Sequence, residues 1–206
     1  MREYIIFDFD GTLVDSKEAV IAAYNQIAGK HGFLPMEHDR LDELMKMSVL
    51  ERCKALKFPI YKLPIYAPQL FKHYHQGIKD IIFFPRIKET LEELKNRGYK
   101  LAVISSNNEQ NIREFLEMHE VDYIDEVFCS SSLFGKDKVI NKFLKSFSLK
   151  PDEVLYVGDE VRDVVACKKT GVKVIWAGWG YESLEHVKKE SPDYMASEPE
   201  DILSIV

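Results

Sequence analysis

Four short apolar runs constrain this chain more than any other feature. They cover residues 4–9, broken by Asp8 and ending in Asp10-Gly11; residues 101–104 after Gly98; residues 154–157 after Pro151; and residues 172–176 after Gly171. Each has strand length, is rich in Ile and Val, and is bounded by turn residues. Runs that are continuously apolar, rather than alternating, predict strands buried on both faces, as in a parallel sheet covered by helices. Helical periodicity fills the gaps. Residues 86–97 place Ile87, Leu91 and Leu94 on one stripe and stop at Gly98. Residues 137–147 gather Val139, Ile140, Phe143, Leu144 and Phe147 on one face, and residues 162–170 end at Gly171. Strands alternating with such helices predict βαβ units and a three-layer α/β fold around a Rossmann-like parallel sheet.

Residues 16–83 interrupt the alternation. They show no good strand but three helical patterns, over 17–31, 39–56 and 66–79, punctuated by Pro35, Pro59, Pro64 and Pro68. The expected organisation is an α/β core from residues 1–15 and 84–206, with a helical cap over 16–83 inserted after the first strand. No internal repeat or low-complexity tract occurs.

Composition narrows the classes. Gly plus Pro is 18 of 206 residues, too few for a linker-like chain, and 46% of residues are hydrophobic. Cys53, Cys129 and Cys167 lie far apart with no CxxC, which argues against a disulfide framework or a cysteine zinc site and fits a reducing compartment. A net charge of -6 argues against nucleic-acid binding. No apolar run reaches membrane-spanning length, and the N-terminal stretch is too short for a signal peptide. The expectation is a cytoplasmic protein, monomer or homodimer, with neither a membrane nor a nucleic-acid partner.

In open α/β sheets, ligands bind beyond the carboxyl ends of the strands. The polar residues expected there are Asp8, Asp10, Gly11 and Thr12; Ser105, Ser106 and Asn107; Gly135 and Lys136; and Asp159, Glu160 and Asp163. At least three carboxylates, Asp8, Asp10 and Asp159, would gather at one edge, and Asp163 is placed to join them. Two such charges about 4 Å apart repel by roughly 4 kcal/mol at an effective dielectric near 20. A divalent cation offsets that repulsion, and an all-oxygen site suits Mg²⁺ better than Zn²⁺. Serine hydroxyls, a lysine and backbone N–H groups beside Mg²⁺ suit a phosphoryl group. Asp8 is the candidate nucleophile, and Asp10 the candidate acid and base.

The run Asp8-Phe9-Asp10-Gly11-Thr12-Leu13-Val14-Asp15 closely resembles the first motif of the haloacid dehalogenase superfamily. Ser105, Lys136 and the stretch Gly158-Asp159-Glu160-Val161-Arg162-Asp163 resemble its second, third and fourth motifs, in order. The helical insert resembles the family's small type 1 cap, and the whole resembles the phosphoglycolate-phosphatase-like branch. The resemblance implies an aspartyl-phosphate on Asp8 and acid/base work by Asp10, whose backbone carbonyl also meets the metal. It implies phosphate binding by Ser105 and Lys136, with Ser106 and Asn107 beside them, and a Mg²⁺ site from Asp8, Asp10, Asp159 and Asp163. It also implies a cap that closes over a small phosphate ester. The dehalogenases that name the family lack an acid at the position of Asp10.

Several readings stay open at this level. Lys136 and Lys138 both fit the third motif, Lys136 the better for following Gly135. Glu160 and Asp163 compete to reach the metal. Ser105-Ser106-Asn107 reads equally as a helix N-cap, and Asp163 as a residue that favours a helix N-terminus. His73 and His75 do not share a helix face, which argues against paired metal ligation. Arg52, His73 and Tyr74 are candidates for substrate contact, while residues 176–181 either line the site or form a plain strand-to-loop transition. The expected function is Mg²⁺-dependent hydrolysis of a small phosphate monoester, phosphoglycolate-like or a sugar phosphate. The rivals are a phosphosugar mutase and a non-catalytic phosphate- or metal-binding regulator.

Overall fold

A computed structural model describes residues 3–45, 47, 49–130 and 135–206. The chain opens with β1 (Tyr4–Phe7) and a two-residue strand β2 (Val14–Asp15). Four helices follow: α1 (Lys17–His31), α2 (Leu41–Met45), α3 (Val49–Ala55) and α4 (Leu63–Gln76). Then come β3 (Ile82–Phe83), α5 (Ile87–Asn96), β4 (Lys100–Ser105), α6 (Glu109–Met118), β5 (Glu126–Cys129) and α7 (Lys136–Ser146). The chain finishes with β6 (Val154–Gly158), α8 (Val161–Thr170), β7 (Lys173–Ala177), α9 (Leu184–Lys189), β8 (Tyr194–Ala196) and α10 (Ile202–Ile205).

Six strands form one parallel sheet in the order β5-β4-β1-β6-β7-β8. The expected α/β architecture is therefore present, and the continuous apolar runs explain it. Ile5, Ile6 and Phe7 of β1, and Leu155, Tyr156 and Val157 of β6, are fully buried, because helices cover both faces. Burying one such side chain stabilises the fold by about 1.5–3 kcal/mol. On one face Ile6, Ile104, Tyr156 and Val174 pack with Ile140, Phe143 and Val164 of α7 and α8. Tyr4 meets Phe143 edge to face at 5.1 Å. β1 has β4 on one side and β6 on the other, so the chain builds outward to β5 before returning past β1. That reversal is a topological switch point, where a crevice opens beyond the strand ends.

The chain divides into two compact units, one of Met1–Asp15 with Ile82–Val206 and one of Ser16–Ile81. Ile82 and Phe83, expected in the helical insert, instead pair antiparallel with Asp15 and Val14 and group with the α/β unit. The helical unit has its own core: Tyr24, Ile27, Leu44, Leu56, Phe58 and Tyr66. Tyr24 Oη donates to the Leu34 carbonyl at 2.9 Å, and Asn25 exchanges two hydrogen bonds with the backbone of Met36. The helix expected over 39–56 is instead a short 3₁₀ turn followed by α2 and α3; residues 46 and 48 of that stretch lie outside the described residues. Among the described residues, no helix is long and apolar enough to cross a membrane.

Candidate active site

The site begins where β1 ends. Asp8 N–H still bonds the Val157 carbonyl of β6 at 2.8 Å, so its carboxylate emerges at the switch point. Phe9 N–H donates to Asp8 Oδ1 at 2.8 Å. The other oxygen, Oδ2, is held by Lys136 Nζ, and the same ammonium holds Asp163 Oδ1. All three side chains are buried. Lys136 is the first residue of α7, where helix geometry turns it inward; Lys138 is exposed. Of the two lysines open in the sequence, Lys136 reaches the carboxylates.

Asp163 can approach because residue 158 is glycine: a Cβ there would lie 2.6 Å from the Asp163 carboxyl group. Asp163 Oδ2 also accepts from Glu160 N–H at 3.1 Å and so caps α8. One oxygen of Asp163 thus caps the helix while the other meets Lys136. Glu160 forms an ion pair with Arg162. Asp8, Glu160 and Asp163 each offer a carboxylate oxygen, all within 4.8 Å of one another.

Asp159 is fully buried and closely held. Its Oδ1 accepts from Thr12 Oγ1 at 3.0 Å, its Oδ2 from Tyr181 N–H at 2.9 Å, and its carbonyl from Trp176 Nε1 at 2.9 Å. Trp179 Nε1 donates to the Thr12 carbonyl at 2.9 Å. Residues 176–181 are thus more than a strand exit. They bind the end of β6 to the turn after β1.

Asp10 accepts from Asn107 Nδ2 at 2.9 Å. Ser105 Oγ is buried and accepts from Asn107 N–H at 3.1 Å. Ser106 Oγ is buried with no partner among the described residues. Of the three residues expected to bind phosphate after β4, the Asn107 side chain is directed at Asp10, and the two serines carry the hydroxyls. Asn108, one residue on, makes the N-cap, accepting from Gln110 N–H at 2.7 Å. Arg52 bonds the carbonyls of Leu44 and Met47 within the helical unit; Tyr74 is buried there, and His73 meets Gln76 at 3.2 Å.

Burial pushes Asp8 up to about 7, against the pull of Lys136 and with the help of Asp163 and Glu160. Burial also pushes Asp159 well above the ordinary carboxylate range, aided by Glu160, Asp8 and Asp163. Burial alone would lower Lys136, but Asp163 and Asp8 outweigh it and hold the ammonium above its usual value. One lysine shared between two carboxylates stays charged, and its pull on Asp8 is smaller than the effect of burial.

Sequence reasoning missed Tyr156. Its hydroxyl lies 3.0 Å from the Ile104 carbonyl and 3.3 Å from Asp163 Oδ1, with Lys136 Nζ 5.9 Å from its ring centre. The signal was available, since a tyrosine inside a buried apolar strand needs a partner for its hydroxyl.

The sequence pattern of haloacid dehalogenase-like hydrolases matches residues 5–177. The chain belongs to that family. It is 29% identical to a phosphoglycolate phosphatase of Synechococcus elongatus, over 98% of this chain and 96% of the other. It is 24% identical to the pyrophosphatase PpaX of Bacillus cereus, over 98% and 95%. A solved haloacid dehalogenase-like family protein of Streptococcus pneumoniae superposes with a TM-score of 0.83, at 24% identity over 99% and 98% of the two chains. Within the family the chain falls in the phosphoglycolate-phosphatase-like branch, and it is a hydrolase.

Proposed function

We propose that this hydrolase is a Mg²⁺-dependent phosphatase, acting on a small phosphate monoester through an aspartyl-phosphate on Asp8. The observation that carries the reading is the Lys136 ammonium held between Asp8 and Asp163 at the switch point of the sheet. It places a fixed positive charge beside a buried carboxylate, where the charge of a transferring phosphoryl group would develop.

An Asp8 oxygen attacks phosphorus, and the ester P–O bond breaks with its electron pair on the departing oxygen. Asp10 gives that oxygen its proton. Asp10 then takes a proton from water as the water attacks phosphorus and the bond to Asp8 breaks, releasing phosphate. Lys136 neutralises charge on the equatorial oxygens. The hydroxyls of Ser105 and Ser106 are donors for the same oxygens, and Ser106 Oγ has no partner among the described residues.

A divalent cation fits the site, because Asp8, Glu160 and Asp163 bring carboxylate oxygens within 4.8 Å of one another, and burial, with the charge of neighbouring acids, pushes Asp8 and Asp159 upward. On the family resemblance, Asp8, Asp10, Asp159 and Asp163 would hold it; Glu160 joins the candidates through its closeness to Asp8 and Asp163. When bound, the ion screens Asp8 from an incoming phosphate dianion and polarises the phosphoryl group.

The test is phosphate release from a panel of esters, including phosphoglycolate, sugar phosphates and pyrophosphate, with Mg²⁺ and with EDTA. Wild type is expected to turn over one class, to stop in EDTA, and to take up label from radiolabelled substrate. Asp8→Asn is expected to do none of these. Undiminished turnover by Asp8→Asn overturns the mechanism. Isomerised sugar phosphate without phosphate release favours a mutase, and no turnover of any ester favours a regulator.

A further inference from the structure

Asn111 lies in the first turn of α6, almost wholly buried, on the face that carries Ile112, Phe115 and Leu116. An amide on an apolar helix face is destabilising unless it is hydrogen-bonded. Its partner is informative. Asn111 Nδ2 donates to Asn107 Oδ1 at 3.2 Å, and Asn108 N–H donates to the same oxygen at 2.7 Å. Two donors on one carbonyl oxygen fix which way the Asn107 amide faces. Its NH₂ must then point the other way, and it meets Asp10 Oδ2 at 2.9 Å. Turning that amide over would set NH₂ against two N–H donors and a carbonyl against a carboxylate.

We propose that Asn111 is a positioning residue: through Asn107 it holds the Asp10 carboxyl group in the orientation that hands a proton to the leaving oxygen. This rests on the phosphatase reading above and deepens it. In the step concerned, the Asp8–phosphorus bond forms, the ester P–O bond breaks, and the proton moves from the Asp10 carboxyl group, held by Asn107, to the departing oxygen. An alkoxide is a poor leaving group and needs that proton. A p-nitrophenolate is a good one and departs without it.

The test compares Asn111→Leu with wild type on an alkyl phosphate that wild type hydrolyses and on p-nitrophenyl phosphate. Both are followed in a single turnover, so that departure of the leaving group is the step read. Leucine keeps the volume and the buried face while removing the donor. The alkyl-to-aryl rate ratio is expected to fall about ten-fold, part of the 10²–10⁴ that a well-placed acid contributes. Asn111→Ala carries the same expectation and serves if the leucine variant does not fold. Equal slowing of both esters would make Asn111 merely structural and overturn the proposal, as would no slowing of either. Wild type releasing phosphate neither from any alkyl phosphate tried nor from p-nitrophenyl phosphate overturns the phosphatase reading itself, and this step with it.

Discussion

Gly180→Ala places one methyl group where the structure has no room. A Cβ on residue 180 would lie 2.1 Å from Asp159 Cβ and 2.6 Å from the Gly11 carbonyl oxygen. Carbon atoms settle at about 3.5–4.0 Å, so one side must move by roughly 1.5 Å. Asp159 cannot yield cheaply, because Thr12, Tyr181 and Trp176 all hydrogen-bond it. Overpacking of this kind costs about 1–3 kcal/mol, and loss of the Tyr181 N–H bond adds about 1 kcal/mol. A total near 3 kcal/mol lowers the melting temperature by roughly 6–12 °C in a chain of this size. Displacing a site carboxylate by 1 Å or more lowers turnover by about 10²-fold. The control is Gly29→Ala, inside α1, where the added methyl meets nothing within 4 Å. Alanine's helix preference should stabilise that variant by about 1 kcal/mol. Thermal melts of both variants, with p-nitrophenyl phosphate turnover, make the comparison. A Gly180→Ala protein that melts with wild type and keeps its rate would refute the claim that residues 176–181 fix Asp159.

Lys136→Met leaves Asp8 and Asp163 facing each other without their shared ammonium, and kcat on any accepted ester should fall by about 10²–10³-fold. A drop of less than ten-fold would remove Lys136 from the phosphate chemistry. Tyr156→Phe deletes the hydroxyl shared by Ile104 and Asp163, a hydrogen bond worth about 1 kcal/mol, so kcat/KM should fall by roughly five-fold. An unchanged value would show that Asp163 is oriented without it. His119 is packed against Phe115, 4.2 Å between ring centres, and burial first, then Lys88, lowers its pKa below 6.5. The unfolded chain therefore binds this proton more readily, so its contribution to stability is complete above pH 6.5 and is lost as pH falls through the lowered folded value. Urea melts of wild type and His119→Phe across that range should converge in pH dependence above 6.5 and diverge below it. Parallel curves throughout would exclude the histidine as the cause.

The layer structure was legible because parallel strands buried on both faces leave a signature needing no partner to be read. The runs at 154–157 and 172–176 became β6 and β7 within a residue or so of where their apolar character begins and ends. β3 was not legible. Two residues, Ile82 and Phe83, carry no period, and their strand state comes from pairing with Val14 and Asp15, some seventy positions earlier. The long helical pattern over 39–56 hid a break for a related reason: apolar spacing persists across a turn when both flanking helices face one core, here that of Leu44 and Leu56.

Within the site, residues that exert charge could be read, and residues that aim the charge could not. Asp8, Lys136 and Asp159 announce themselves by type and by position after a strand or before a helix. Asn107 also stood out, but its role depends on which end of a near-symmetric amide faces Asp10, and that is set by Asn108 and Asn111. Gly180 and Gly158 matter for atoms they lack, a property fixed only once Asp159 and Asp163 approach from other segments. One ammonium serves two buried carboxylates, while Asp159 relies on neutral donors from Thr12 and Tyr181. Neutral donors orient a carboxylate without cancelling its field. The fold thus holds Asp159 in place by geometry rather than by opposing charge.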